Sequence, residues 1–219
     1  AFPVITFPYA SRILLPEGIG KVNFANSVVS YFIIIASLGI GTYATREASK
    51  VRDDKTQLTK FSKEIFSINL ISTAIAYILF FIAFIFIPKL NPYRTMLLIC
   101  STKILFTTLG MDWFYFALED FKYITVRSII VHAIYVLAVF IFIRNSDDYP
   151  IYYFLLTLSI VCNAIINCIY SRKFVQYKWG NFELRPIFKS SMILGFRNIL
   201  TSMYTTFNVL FLGFVTSDT

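Results

Sequence analysis

The stretch that decides the fold is residues 23–63, NFANSVVSYFIIIASLGIGTYATREASKVRDDKTQLTKFSK. Its first half is apolar and long enough to cross a bilayer, for which a helix needs about 20 mostly apolar residues. Its second half carries six basic residues: Arg46, Lys50, Arg52, Lys55, Lys60 and Lys63. Basic connectors of this kind remain on the cytoplasmic side of a membrane. The stretch therefore predicts a spanning helix followed by a cytoplasmic loop at 46–63.

The composition of the whole chain agrees with a membrane protein. The 219 residues are 57% hydrophobic, above the 45–50% that is typical of soluble domains. The net charge of +8 does not indicate nucleic-acid binding, because the charges lie between apolar segments, where they orient helices and meet anionic lipid headgroups. The three cysteines lie inside apolar segments without metal-ligand spacing, so neither a metal nor a cofactor is expected.

Apolar segments divide the chain into seven predicted spans, at about 1–10, 22–45, 64–87, 94–118, 123–143, 150–170 and 190–214. The first supplies only half a spanning length, so the chain is expected to be a piece of a longer protein. Connectors on the side of 46–63 hold thirteen Lys and Arg residues against five on the other side. This bias predicts that the loops 46–63, 119–122 and 171–189 are cytoplasmic.

Polar and small residues recur on one face of most spans. Tight packing through small residues is one interpretation of such faces. The Asn, Lys, Arg and His content favours the other interpretation, a wet cavity between the helices. The asparagines on these faces that are candidates for substrate binding are Asn26, Asn163 and Asn198.

Two basic residues lie within predicted spans and are candidates for binding an anion. A charge costs about 2.5–3.5 kcal/mol at the centre of a spanning helix. Lys103 and Arg197 are therefore expected either to bind a ligand or to be compensated by another group of the protein. The alternatives are an interhelical ion pair or a side chain that reaches the surface. Arg12 and Arg46 lie near opposite membrane surfaces, where contact with substrate and a role in topology are both open.

Two further titratable residues are candidates for ion coupling. His132 lies near the middle of the span 123–143 and is either a proton relay or a structural hydrogen-bonding residue. Asp112, in the span 94–118, is nine residues beyond Lys103 and so points to the opposite face of a continuous helix.

The acidic pairs Asp53-Asp54 and Asp147-Asp148 raise the possibility of a membrane glycosyltransferase with a metal between carboxylates. The predicted topology places the two pairs on opposite sides of the membrane, so they cannot share an ion. No phosphate-binding glycine loop or nucleophile elbow occurs in the sequence. The protein is therefore expected not to be an enzyme.

Two segments resemble a known family. Residues 7–55 contain FPYASRILLPEGIGK and GIGTYATREASKVRDDK, and residues 110–128 read GMDWFYFALEDFKYITVRS. These resemble the bacterial polysaccharide-export flippases, the Wzx-type O-antigen transporters. The chain departs from the family pattern at Leu15, where glycine is usual.

The resemblance implies an all-α, MATE-like fold of two six-helix lobes around a central cavity, with alternating access. Residues 1–171 would be the N-terminal lobe with a truncated first helix, 172–189 the cytoplasmic inter-lobe loop, and 190–219 the first helix of the second lobe. The implied substrate is an oligosaccharide on undecaprenyl pyrophosphate, moved across the bacterial inner membrane.

Membrane lipids, a polysaccharide polymerase and chain-length proteins are further candidate partners. A multidrug or cation antiporter of the same superfamily is the alternative function.

Overall fold

The computed structural model describes the backbone of residues 2–175 and the side chains of residues 6–175. The candidates Arg197 and Asn198 and the predicted span 190–214 lie outside the described residues. So does most of the predicted inter-lobe loop 172–189.

The described chain consists of seven α-helices joined by short turns. Their bounds are α1 Phe2–Ser37, α2 Ile40–Lys50, α3 Lys55–Phe86, α4 Arg94–Gly110, α5 Asp112–Ala117, α6 Phe121–Phe142 and α7 Tyr149–Ser171. Two short 3₁₀ turns, Pro88–Tyr93 and Ser146–Asp148, precede α4 and α7.

Five helical segments of this part of the chain are long and apolar enough to cross a membrane: Thr6–Lys50, Lys55–Phe86, Pro88–Ala117, Phe121–Phe142 and Ser146–Ser171. The predicted class, an all-α polytopic membrane protein, is confirmed.

Helix α1 contains a reversal of direction where the sequence predicted a loop over 11–21. The only non-helical residue inside α1 is Leu15, with φ 59° and ψ 169°. Phe7 and Val22 line the same cavity, although 15 residues of straight helix would separate them by about 22 Å. The chain therefore does reverse direction in this region, but it does so at one residue with helix on both sides, and not through the expected loop.

The contacts on either side of Leu15 show the same reversal. The hydroxyl of Tyr9 donates to the carbonyl of Ile143 over 3.0 Å. A Cβ added to Gly18 would lie 3.4 Å from that of Tyr149. Both halves of α1 thus meet the turn between α6 and α7.

The prediction of a loop over residues 46–63 was also wrong, because most of these residues are helical. The chain breaks earlier, at Leu38 and Gly39, which both have positive φ. Only residues 51–54 separate α2 from α3. Asp54 caps α3 by accepting from the backbone N–H of Thr56 at 2.8 Å and of Gln57 at 3.1 Å. These two hydrogen bonds hold the pKa of Asp54 below its usual value.

The predicted span 94–118 is interrupted. Met111, with φ 45°, separates α4 from α5 and leaves the last carbonyls of α4 without helical partners. Helix α4 packs chiefly against α7 and α1. The break is thus surrounded by other helices, which can supply those partners.

The bundle has two ends, and each has its own buried cluster. One end carries the turns 51–54 and 118–120 and is here called the basic end; its core includes Ile40, Ile65, Phe114 and Tyr115. The far end carries the turns 87–93 and 143–148, with Leu14, Leu97 and Tyr153 in its core.

The lipid-facing surfaces are formed mainly by α3 and α6. Beyond residue 60 of α3 and residue 125 of α6, their exposed residues are almost all large and apolar, such as Ile75, Ile78 and Ile85 on α3 and Ile129, Ile134 and Leu137 on α6. Apolar faces of this extent fit hydrocarbon rather than water.

Candidate functional site

Lys103 lies at the back of a cavity between α1, α4 and α7. The cavity has a volume of about 330 Å³ and is lined by both halves of α1, by Lys103 and by residues 152–160 of α7. The lysine is only 4% exposed. Its Nζ donates to Oδ1 of Asn26 over 3.0 Å and lies 4.4 Å from the ring centre of Tyr153. The structure thus brings Lys103 and Asn26 together in one polar pocket.

The partners of Lys103 are neutral. Among the described residues, its hydrogen-bonding partner is an amide and its second contact is an aromatic ring, and the cavity lining includes no Asp or Glu. Asn23, Asn26 and Ser159 supply the other polar groups. A buried ammonium that meets an amide and a π face has no carboxylate to neutralise it within the described residues, and it can attract an anion.

A row of polar side chains leads from this cavity toward the basic end. We call it the polar strip and define it as Asn26, Lys103, Thr107, Asp112, Ser159 and Asn163. Asn26, Thr107 and Asp112 are exposed, whereas Ser159 and Asn163 are half-buried. Helices α4 and α7, which carry four of the six residues, pack against each other. The strip contrasts with the apolar surfaces of α3 and α6.

A second buried charge was missed by the sequence reasoning. Arg127 was counted with the connector before α6, but it lies inside that helix and is only 8% exposed. Its Nη1 lies 3.1 Å from Oδ1 of Asp112 and also donates to Oδ1 of Asn167. Only its sequence position, four residues past Tyr123, could have shown that it lies within the span.

Asn167 is the centre of this network at the α4–α5 break. Its Nδ2 donates to the free carbonyl of Gly110 and, over 2.9 Å, to Oδ1 of Asp112. Its Oδ1 accepts from the hydroxyl of Tyr123 over 3.0 Å. The asparagine therefore satisfies a carbonyl that the break leaves open and holds Asp112 in place.

Asp112 is held on one side and open on the other. Oδ1 accepts from both Arg127 and Asn167, while Oδ2 makes no hydrogen bond within residues 6–175. The side chain of Asp112 is 61% exposed. One carboxylate oxygen is thus oriented by the bundle and the other faces outward.

The remaining candidates lie apart from the Lys103 cavity. Nδ1 of His132 lies 2.7 Å from the carbonyl of Ser128 in its own helix. Arg12 is exposed near the reversal of α1, at the far end. Arg46 is exposed on α2 at the basic end, where its Nε lies 3.0 Å from Glu47. Nδ2 of Asn163 donates to the carbonyl of Ser159.

One residue of each acidic pair is engaged in capping hydrogen bonds. Asp148 accepts from the backbone N–H groups of Arg144 and Asn145 at 2.9 and 2.8 Å, and Asp54 caps α3. In the part of the chain that the structure describes, no three His, Cys, Asp or Glu residues are grouped as metal ligands would be.

Fold and site together define a multi-pass helical membrane protein with a buried cation in a polar intramembrane cavity. The family model described as "Polysaccharide biosynthesis protein" matches residues 1–219, and the chain belongs to that family.

Two curated relatives extend this result. A protein of Escherichia coli strain K12 named "Putative O-antigen transporter" is 24% identical over 224 residues, which are 99% of this chain and 53% of the relative. A protein of Shigella dysenteriae with the same name is 23% identical over 220 residues, 99% of this chain and 55% of the relative. The chain therefore spans about half the length of these relatives. No solved structure matches it significantly.

Proposed function

We propose that this chain is part of a flippase that carries undecaprenyl-pyrophosphate-linked polysaccharide repeat units across the bacterial inner membrane by alternating access. The chain would contribute the N-terminal lobe of the transporter. Membership of the polysaccharide biosynthesis family and the names of the two relatives support transport of this class.

The observation that carries the proposal is the environment of Lys103. A buried ammonium without a carboxylate partner among the described residues is costly to a membrane protein unless it binds an anion. A pyrophosphate offers several charged oxygens to such a group. The aromatic contact with Tyr153 and the amide of Asn26 hold the ammonium in position before the substrate arrives.

The polar strip supports the second part of the proposal, a carbohydrate load. Sugar hydroxyls both donate and accept hydrogen bonds, and the amides and hydroxyls of the strip can do the same. The polyprenyl tail needs no polar partner and can remain among the lipid chains. A second lobe would cover the strip and enclose a central cavity.

An orientation follows from the charges. The basic end carries Lys50, Arg52, Lys55 and Lys122, and we assign it to the cytoplasmic side by the positive-inside rule. The Lys103 cavity then lies nearer the periplasmic side. Coupling through Asp112 or His132 stays a prediction.

A cation antiporter is less well supported. Such a protein needs acidic groups in its cavity, and the described lining of the Lys103 cavity is basic and neutral. A glycosyltransferase would need free carboxylates for a metal, whereas Asp54 and Asp148 are engaged as helix caps.

Transport in reconstituted vesicles tests the proposal. The full-length protein is placed in liposomes with undecaprenyl-pyrophosphate-linked repeat units, and movement between leaflets is followed by protection of the sugar from an added lectin. We expect Lys103→Ala to lower the transport rate at least tenfold, because the pyrophosphate loses its cationic partner.

The matched control is Lys60→Ala, which removes an exposed basic residue at the basic end. It should transport at the wild-type rate. Wild-type vesicles that move no lipid-linked sugar, or a Lys103→Ala variant as fast as Lys60→Ala, would contradict the proposal.

A further inference from the structure

A second cavity lies at the basic end, between α2 and α5. Its volume is about 510 Å³, and its walls include Thr42, Thr45 and Arg46 from α2 and Asp112 and Phe116 from α5. It is separate from the Lys103 cavity, with which it shares no lining residue. We call it the α2–α5 groove.

We infer that the α2–α5 groove is a subsite for the uncharged sugar portion of the substrate, distinct from the pyrophosphate site at Lys103. This inference rests on the proposed function. It adds that the pyrophosphate and the sugars of one substrate bind at two different sites. Its evidence is the chemistry of the groove walls.

Both walls of the groove offer hydrogen-bonding groups that have no hydrogen-bond partner among the described residues. Oδ2 of Asp112 makes no hydrogen bond within residues 6–175, and its partner oxygen is fixed by Arg127 and Asn167. Thr42 is exposed and its hydroxyl is likewise without a hydrogen bond to the described residues. A fixed carboxylate beside hydroxyls suits a ligand that carries several O–H donors.

The α5 wall also carries aromatic rings. The ring of Phe116 is 47% exposed beside Asp112, and the indole of Trp113 closes the floor of the groove. A sugar ring has an apolar C–H face as well as polar edges, and an aromatic ring can cover that face. The groove thus pairs a flat apolar surface with polar groups at its rim.

The charges of the groove do not suit a pyrophosphate. The carboxylate of Asp112 would repel it, and the guanidinium of Arg46 already has Glu47 as a partner at 3.0 Å. The Lys103 cavity has the opposite character, with a cation and no carboxylate in its described lining. The two sites therefore select different parts of one headgroup.

The two sites lie on neighbouring parts of the chain, on either side of the break at Met111. Lys103 on α4 lines the first cavity, and Asp112 at the start of α5 lines the groove. Thr107 lies exposed between them on α4. In this inference, a headgroup with its phosphates at Lys103 extends its sugars past Thr107 and into the groove.

Two binding probes separate the sites in the full-length protein. The first is the free repeat-unit oligosaccharide, released from the undecaprenyl-pyrophosphate-linked repeat unit by mild acid, which hydrolyses the glycosyl phosphate bond. The second is geranylgeranyl pyrophosphate, which has phosphates and no sugar. Calorimetry measures the Kd of each probe for the wild type and the variants.

We expect Asp112→Asn and Phe116→Ala to weaken oligosaccharide binding at least tenfold and to change binding of the pyrophosphate probe less than twofold. Lys103→Ala should show the reverse pattern. Thr42→Val serves as a groove variant that leaves the Arg127 network intact, with an expected loss of threefold or more. The matched controls Phe154→Ala and Thr125→Val remove an exposed ring and an exposed hydroxyl elsewhere and should behave as wild type.

The outcomes distinguish this inference from the proposed function. A wild-type protein that binds the pyrophosphate probe but not the oligosaccharide up to saturating concentrations would overturn the sugar subsite and leave the flippase proposal standing. Unchanged oligosaccharide binding in both Phe116→Ala and Thr42→Val would do the same. Failure of the wild type to bind either probe would overturn both.

Discussion

Nη1 of Arg127 lies 3.1 Å from Oδ1 of Asp112, and this ion pair joins α6 to the break between α4 and α5. The arginine is buried while the carboxylate is largely exposed. Together with Asn167, the pair closes the basic end around an interrupted helix. The carboxylate of Asp112 therefore contributes to the stability of the bundle and, in the inference above, to binding of the substrate. Variants of Arg127 and Asn167 test the first role, and variants of the other groove residues test the second.

Replacing Arg127 by methionine tests the contribution of the pair to stability. The variant leaves Oδ1 of Asn167 with fewer donors and Asp112 without its cation, and we expect a loss of roughly 2 kcal/mol, below the 3–5 kcal/mol of fully buried pairs because Asp112 is exposed. The thermal midpoint in detergent measures the loss. Arg172→Met, at an exposed position, is the control and should leave the midpoint unchanged.

Asn167 and Asn163 form a matched pair of positions on α7. Asn167 bonds groups on α4, α5 and α6, whereas Asn163 donates to its own helix. Asn167→Leu should therefore destabilise the bundle by about 2–3 kcal/mol, since several polar groups lose partners. Asn163→Leu should cost less than half as much. Equal shifts of the thermal midpoint for the two variants would count against the role of Asn167.

Leu15 has a backbone conformation that only glycine adopts freely. With φ 59° and ψ 169°, its strain is on the order of 1–3 kcal/mol. The side chain is 53% exposed, so its removal loses little packing. Leu15→Gly should raise the thermal midpoint by several degrees. Leu14→Gly, at a buried helical neighbour, should lower it; a fall in both would contradict the strained turn.

Water access to the polar strip can be measured by thiol labelling. In a background with Cys100, Cys162 and Cys168 replaced by serine, Thr107→Cys should react with a membrane-impermeant maleimide at least tenfold faster than Ile129→Cys. Both positions are exposed in the bundle, but Ile129 lies on the apolar face of α6. Equal rates would show that the strip is as dry as the lipid face.

The assigned orientation has a direct test with the same background. Asp53→Cys at the basic end should be labelled only after the inner membrane of intact cells is permeabilised, whereas Asp147→Cys at the far end should be labelled from the periplasm. The physical reason is the excess of basic residues on the side of residue 53. The opposite labelling pattern would invert the orientation.

Several features could be predicted because they depend on local composition. The apolar runs predicted the bounds of α6 and α7 to within two residues and the end of α3, whose start lies nine residues earlier than predicted; length and hydropathy alone decide whether a helix can cross a bilayer. The costly position of Lys103 was also evident from the sequence. Its partners were not, because Asn26 and Tyr153 lie 77 and 50 residues away in the chain.

Other features could not be read from composition. The reversal at Leu15 and the break at Met111 each fall on one non-glycine residue with positive φ, and the break at Leu38 is shared with Gly39. Pro16 and Gly39 are turn residues, but composition does not show that the chain breaks there within otherwise helical segments. The second half of α2, residues 46–50, was expected to be loop because it is polar, but the whole helix is amphipathic and buries Ile40, Ala44 and Ala48 against its neighbours.

The sequence by itself determined that this chain is a helical membrane protein with a basic side and a charge within the bilayer. Hydropathy and charge act residue by residue, so no folded neighbour is needed to interpret them. Only the tertiary structure decided which charge remains without a carboxylate partner among the described residues. Lys103 meets an amide and a ring, whereas Arg127 meets Asp112, because helix packing brings distant residues within hydrogen-bonding distance.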